Sequence, residues 1–574
     1  TRAAGDGLTE ALPVVPRSNL RALASWNRTE TVFAPPYDLV RLFEARVDAQ
    51  PDEVALVSDD GATLTYSELD RRANGVAHAL QQLGVGVESR VGVFLRRSFD
   101  LLIAVHGVIK AGASYVPLDP ALPSERLHYM IEDANMSAVI SHPASAGPEF
   151  PCPELRIDAV GGASRLTVRA HSDNEAYMIY TSGATGRPKG VSNVHRGIAN
   201  RLRWMQSAFP IGLGDVVVHK TPFSFDVSVW ELFWPLHAGA RLLVARDEGH
   251  KDPEYLAELL ERFSVSTIHF VPSMLDAFLF HLEHSRRTLP GLRRVICSGE
   301  ALSADLLVRS RRALSGAEVH NLYGPTEAAV DVSWWAAGPE QDLDTIPIGR
   351  PIANTTLHVV DVRLEPVPIE TSGELAIGGV QVSRGYHGRP ALTAERFRPD
   401  PLGLPGARLY LTGDACAWSK DGQIEYHGRL DNQIKLRGLR IELGEVEVAL
   451  ERCVSIRRAV ASVRGETLVA HVVAGDGFDQ DQVRTELQRF LPEYMVPTRI
   501  IVLPSLPLTP SGKVDRGSLP ETDLEPEGGA GLELRDESER NLAAAWQAVL
   551  GVDVRDRNAN FFRLGGHSLA AARL

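Results

Sequence analysis

The sequence predicts an α/β protein with a large N-terminal part of parallel or mixed sheets flanked by helices. A small α+β unit and a helical end follow. Three observations predict this. Strand-like and helical runs alternate, as in "RVGVFLRRS" (90–98) before "DLLIAVHGVIKAG" (100–112). The texture changes near residue 431 to a compact strand–helix–strand–strand–helix–strand pattern. An acidic, Pro- and Gly-rich stretch then sets a last amphipathic helix apart. A chain of 574 residues holds several such units. Its 44% apolar and 23% charged content are those of globular proteins. The net charge of −13 argues against nucleic acid or an anionic membrane as partner. No run approaches the length of a transmembrane helix. Cys152, Cys297, Cys416 and Cys453 stand far apart without metal spacing, which suits a reducing, cytoplasmic compartment.

In chain order, residues 1–30 have weak periodicity and read as an upstream linker. The α/β core takes 31–430, where the helix at 100–112 ends on a glycine stop signal. "EAYMIYTSG" (175–183) is a strand running into a Gly-rich loop. "VSTIHFVPSMLDAFLFHL" (265–282) and "RRVICSGEALSADLLVRSRRAL" (293–314) each read strand, loop, helix. Such alternation places ligands beyond the carboxyl ends of parallel strands. Residues 431–517 carry the α+β unit, with its strands and helices between 440 and 505. Residues 518–533 form a flexible linker. The last unit, 534–574, contains the helix "ESERNLAAAWQAVLG" (537–551) and stops inside another helical pattern. Roughly forty residues are few for a self-sufficient domain, so a truncated helical bundle is expected. The start at Thr1 rather than Met is likewise expected of a fragment.

"YTSGATGRPKG" (180–190) looks built to hold phosphate. Gly183 and Gly186 free backbone N–H groups to wrap a polyanion, Thr181, Ser182 and Thr185 add hydroxyls, and Lys189 adds a cation. It is not the common nucleotide loop, because Pro188 and Gly190 stand where that pattern needs Gly and Ser or Thr. Alone it is equally a Gly-rich turn with no ligand. Ten further strings fall in one order around it. They are "LTYSEL", "KAGASYVPLD", "FSFDVSVWE", "NLYGPTE", "GELAIGGVQVSRGY", "LYLTGD", "GRLDNQIKLRGLRIELGEVE", "LPEYMVP", "TPSGKVDR" and "FFRLGGHSL". From about residue 35 to 574 the chain resembles an adenylation domain plus carrier (thiolation) domain of a nonribosomal peptide synthetase. That family belongs to the adenylate-forming group with acyl-CoA synthetases and luciferases.

The resemblance implies a chemistry. An amino-acid carboxylate attacks the α-phosphorus of ATP, giving aminoacyl-AMP and pyrophosphate. The loop at 181–190 would hold the leaving phosphates. Tyr323 would face adenine with Asn321 and Gly324 beside it, and Thr326 would contact the α-phosphate. Glu327 would hold Mg²⁺, a hard ion that prefers oxygen. Asp414 would accept from the ribose hydroxyls and Arg429 would reach the same region. Leu411 and Ala415 depart from the usual motif around Asp414 without touching these atoms. Lys513 would bridge substrate carboxylate and α-phosphate, offsetting charge that develops during attack. The small unit would swing about a hinge at Asp431. The 4′-phosphopantetheine thiol would then accept the aminoacyl group, attached at Ser568 by a phosphopantetheinyl transferase. Other synthetase domains are expected upstream and downstream.

The same resemblance places Asp226, Val227, Trp230, His269, Ile296, Ser298, Leu322, Val330 and Asp331 around the amino-acid side chain. Asp226 would pair with the α-ammonium, Trp230 and Leu322 leave little volume, and His269 and Ser298 add polarity at the far end. The set resembles the serine-selective pattern. Threonine, an α-substituted serine, or an acyl- or aryl-CoA ligase are the alternatives, and Asp226 with "LGGHSL" argues against the ligase. The segment 401–414 resembles stretches that contact MbtH-like activator proteins, with Ala407 as packing point; an ordinary surface loop stands beside that reading.

Overall fold

The computed structural model describes residues 15–145, 147–168, 170–183, 186–338, 345–431, 433–465, 467–509, 514–520, 533–551, 553–561, 564, 566 and 568–571. Two large mixed sheets form the core. In the nine-stranded sheet the parallel strands Glu318–Tyr323, Arg294–Cys297, Thr267–Phe270, Val216–His219, Arg241–Val244 and Val54–Ser58 lie side by side. In the seven-stranded sheet Glu175–Thr181 pairs in parallel with Ser114–Pro117 and antiparallel with Lys189–Val194. These runs are β-branched and buried on both faces, which is why they read as continuous apolar stretches.

One apolar cluster fills the space between the sheets. Helix Val227–Ala238 lies in it and is buried from Ser228 to Leu236, as a helix apolar all round must be. Helix Phe99–Lys110 is buried from Leu101 to Lys110, and the ammonium of Lys110 is neutralised by Glu44 and Asp70, each within 2.8 Å. A five-stranded antiparallel sheet carries Arg408–Trp418 and Ile424–Arg429.

The segment read as an upstream linker contributes to the fold. Arg17–Trp26 is a helix whose Leu23 is buried, and Trp26 stacks on Trp418 with centroids 5.1 Å apart. Asn27 exchanges hydrogen bonds with the backbone of Leu357. Its two apolar anchors are too few to signal a helix until the sheet they cover is in place. The α+β unit has the expected order, with one difference. Leu439–Glu442 pairs only with Gln433–Leu436, and the sheet of Ile456–Arg464, Thr467–Ala474 and Arg499–Val502 is separate. The last unit has helix Glu537–Leu550, capped by Asp536, and a short helix Ser568–Ala571 that lies against Pro272–Ser285 of the core. No helix among the described residues is long and apolar enough to cross a membrane.

Candidate active site

A cavity of about 570 Å³ opens where the parallel strands end, under the hairpin 433–442. Leu322, Tyr323, Gly299 and Glu300 line it from the large sheet, and Lys435 and Leu436 from the hairpin. Strand Glu318–Tyr323 delivers Asn321 and Tyr323 to one spot. The Tyr323 hydroxyl donates to Asp414 Oδ2, and Arg429 Nη1 donates to Asp414 Oδ1 at 2.8 Å. Asp414 and Arg429 face each other across paired strands, so their meeting is a matter of register. Asn321 gives its amide to Pro347 O at 2.9 Å, while its Oδ1 finds no partner among the described residues. Gly324 is pressed so closely that a Cβ would sit 2.1 Å from Val330 O.

The phosphate-like loop leaves strand Glu175–Thr181 and returns at Lys189. Gly183 has no room for a side chain, since a Cβ would lie 2.1 Å from Arg187 O. Gly186 has φ +80°, and Thr185 lies outside the described residues. The small unit grips this loop. Ser182 Oγ donates to Arg440 O at 2.8 Å, and Gly183 N to Glu445 Oε2 at 3.1 Å. Glu445 is itself paired with buried Arg126 at 2.7 Å. Glu327 is fully buried; Tyr386 donates to its Oε1 at 2.8 Å and Arg440 to its Oε2 at 2.7 Å. Burial opposes its ionisation, but the charges of Arg440 and Lys189 carry the carboxyl down to about 2. Lys189 Nζ lies 3.9 Å from Glu327 and 4.4 Å from the Tyr386 ring centre, and burial brings its ammonium down to about 8. An ionised carboxylate fits a hard cation, and the unpartnered Thr181 Oγ1 and Asn321 Oδ1 fit a polar ligand such as a nucleotide.

The pocket residues come together. Trp230, Ile296, Leu322 and Val330 share the main cluster, with Val227 packed against it. His269 Nε2 and Ser298 Oγ are 3.0 Å apart and buried, and Trp230 sets its ring edge-on to His269 at 6.2 Å. Burial pushes the His269 imidazole down to about 3, so it is neutral. Asp226 begins helix Val227–Ala238. Burial pushes its carboxyl up to about 7; the Thr326 hydroxyl opposes this, while the carboxylates of Asp331 and Glu327 add to it. Asp331 is not open to a ligand on all sides: Arg201 Nη2 holds its Oδ2 at 2.8 Å.

Lys513 lies outside the described residues, as does the side chain of Ser568. The hairpin 433–442 faces the cavity, with Lys435 Nζ 5.3 Å from the Tyr323 ring centre. Asp431 is held by one guanidinium edge of Arg429, Nε donating to Oδ1 at 2.9 Å and Nη2 to Oδ2 at 2.6 Å. Sequence reasoning assigned no role to Arg440, Glu445, Lys435, Tyr386, Arg201 or Gln381. All but Arg201 stand inside strings it quoted, where a charge, an amide or a phenol among apolar neighbours was the signal.

Residues 43–387 match the AMP-binding enzyme family, 445–513 match the AMP-binding enzyme C-terminal domain, and 540–574 match a phosphopantetheine attachment site. The chain is 45% identical to phosphinothricin tripeptide synthetase PhsB of Streptomyces viridochromogenes, over 97% of this chain and 49% of that protein. It is 42% identical to enterobactin synthase component F of Escherichia coli K12, over 96% and 44%. The chain thus spans about half the length of these relatives. Among solved structures it resembles a four-domain nonribosomal peptide synthetase, holo-AB3403, bound to AMP and glycine. That match has 34% identity and a TM-score of 0.67, over 98% of this chain and 42% of that one. The fold also matches holo-PA1221, with adenylation and carrier domains, at 24% identity and a TM-score of 0.80, over 96% and 92%. The chain belongs to the AMP-binding enzymes: it is an amino-acid adenylating ligase joined to a carrier domain of the nonribosomal peptide synthetase kind, with a phosphopantetheine attachment site.

Proposed function

We propose that this enzyme activates L-serine and loads it onto its own carrier domain. The observation that carries the reading is Asp226, a half-buried acid at the start of the buried helix Val227–Ala238, whose carboxyl desolvation pushes up to about 7 beside Thr326. No cation among the described residues offsets it, and an α-ammonium would complete such a site. His269 and Ser298 then lie at the other end of a narrow pocket, where a hydroxyl suits them. In the first step a serine carboxylate oxygen bonds to the α-phosphorus of ATP, the Pα–O bond to the β-phosphate breaks, and pyrophosphate leaves. Lys513 offsets the charge on the carboxylate and α-phosphate during attack, with Thr326 beside it. Tyr323 and Asn321 hold the base, and Asp414 and Arg429 the ribose side. The loop from Thr181 to Lys189 holds the departing phosphates. Glu327 would hold Mg²⁺, which would offset phosphate charge.

In the second step Ser568 would hold the phosphopantetheine arm, whose thiol would accept the acyl group as the bond to AMP breaks and AMP leaves. The domain divisions at 31–430, 431–517 and 534–574, with Asp431 as the hinge, belong to this reading. Two findings support a swing. Arg440 lies on Glu327, where the cation would sit, and helix Ser568–Ala571 rests on the core helix Pro272–Ser285. Together they suit an orientation after pyrophosphate has gone. A reducing cytoplasmic setting accords with four free cysteines. Pyrophosphate exchange with each amino acid tests the whole: serine should lead, and Ser568→Ala should keep exchange while losing covalent loading by intact mass. Exchange driven best by another amino acid refutes the serine assignment.

A second reading has its own observation. Leu402 and Leu404 are 51% and 81% exposed, around the turn that ends at Ala407. Apolar side chains so placed suit a small MbtH-like partner. Leu404→Asp should lower co-purification with such a protein; an unchanged yield refutes this docking point.

A further inference from the structure

A residue expected in the pocket, Val330, and the residue before it have backbone that side chains disfavour. Ala329 has φ +53° and Val330 has φ +81°. For a β-branched residue this is a true outlier, and it persists only where its surroundings hold it. The holder is visible. Gln381 is 1% exposed and sits in "GGVQVSRGY". Its amide nitrogen donates toward Ala328 O at 3.1 Å, Ala329 O at 3.3 Å and Asp331 O at 3.0 Å. Its Oε1 accepts from Asn200 Nδ2 at 2.9 Å, and Asn200 also reaches Ala353 O and accepts from Asn354.

Helix His195–Ala208 turns one face to this cluster, with Gly197, Asn200 and Arg201 three and four residues apart. Gly197 allows the approach: a Cβ there would lie 3.4 Å from Gln381 Cα and 3.6 Å from Ala329 Cβ. Arg201, fully buried, fixes Asp331 from the same face. On the far side Val330 O is pressed against Gly324. The left-handed turn is thus held from three directions, and Gln381 alone bonds to the carbonyls on both sides of Val330.

We propose that Gln381 is a specificity-positioning residue, which locks the Ala329–Val330 turn so that Val330 and Asp331 present one shape to the amino-acid side chain. This rests on the reading that those two residues line the amino-acid pocket. The residue type follows from the chemistry. Glutamate would set carboxylate oxygens against three carbonyls, and methionine would fill the volume without a donor. With no donor, buried carbonyls drive the turn toward ordinary dihedrals, and Val330 moves. Selectivity should then suffer before nucleotide binding does.

The test uses the full chain as wild type, Gln381→Met and the milder Asn200→Ala, which removes the outer anchor of Gln381. Amino-acid-dependent pyrophosphate release is measured over a panel of amino acids, with the KM for ATP and Tm. The KM for the best amino acid should rise about tenfold in Gln381→Met, and its lead over the next substrates should shrink by a similar factor. The KM for ATP should change less than about threefold, and Asn200→Ala should shift the same way by less. An unchanged margin between the leader and the next substrates, or a parallel loss in both KM values and kcat, overturns the proposal. If Gln381→Met does not fold, Asn200→Ala decides by the same criteria. If wild type ranks an amino acid other than serine first, the serine reading fails, and Gln381 is judged by whether that leader's margin shrinks.

Discussion

His269 and Ser298 hydrogen-bond to each other, and this changes what the pocket can reject. Serine's hydroxyl would join the pair, whereas alanine leaves the His269–Ser298 bond intact. Rejection of alanine should therefore fall well short of the ~10⁴-fold reached where a missing hydroxyl strands its partners. Threonine keeps the hydroxyl but adds a methyl beside Trp230 and Leu322, and overpacking costs ~1–3 kcal/mol. His269→Leu should lower kcat/KM for serine about tenfold more than for alanine, on the scale of one buried hydrogen bond. Equal losses for both amino acids would exclude a hydroxyl-reading role. Lys513→Ala should slow adenylation by roughly 10²–10³-fold, on the scale of one transition-state donor, and slow transfer from preformed aminoacyl-AMP far less. Equal losses in the two steps would make that lysine structural.

On the proposed swing, the element that would decide which step the site performs is the hairpin 433–442. Its turn glycine, Gly438, has φ +75°, and a Cβ there would lie 2.5 Å from Val271 Cγ1. Its N–H donates to Glu300, whose other oxygen accepts from Ser273 N at 2.9 Å. Gly438→Val should therefore disfavour this docked orientation. Left-handed backbone costs a side chain ~1–2 kcal/mol and the clash adds to it, so thioester formation should fall about 10–100-fold. Pyrophosphate exchange should stay within about threefold of wild type if, as proposed, adenylation uses another orientation that breaks this contact. Single-turnover loading beside exchange, with Tm as a fold check, separates the two. Parallel loss would mean the hairpin serves both steps.

Across the whole molecule, acid stability follows from buried neutral histidines. Burial pushes His106 down to about 3, His195 to about 4 and His269 to about 3. In the unfolded chain each titrates near 6.5, so below that pH the unfolded state binds more protons. Their stabilisation is complete above about pH 6.5 and declines as the pH falls toward 4, by up to ~1.4 kcal/mol per pH unit for each histidine. Asp226 opposes this in part, since its raised carboxyl takes up a proton in the fold first. The urea midpoint should drop clearly between pH 7 and pH 5. A flat profile over that range would show that these imidazoles are not held neutral.

The sequence by itself determined the order of the units and the kind of chemistry. Alternating strands and helices are written in local periodicity. Groups such as Tyr323, Thr326 and Glu327, or the glycines around 183, stand within a few positions of one another, so their joint meaning survives without coordinates. The tertiary structure alone decided which distant groups meet. Arg440 reaches Glu327 across 113 positions, and Gln381 reaches Asp331 across 50. The helix Arg17–Trp26 gains its reason only from Trp418, and Leu439–Glu442 pairs with its neighbour hairpin strand rather than with the following sheet. Periodicity states which face of an element is buried, but not what it is buried against. A donor's partner depends on sheet register, helix approach and the orientation of the small unit, and these exist only once the chain is packed.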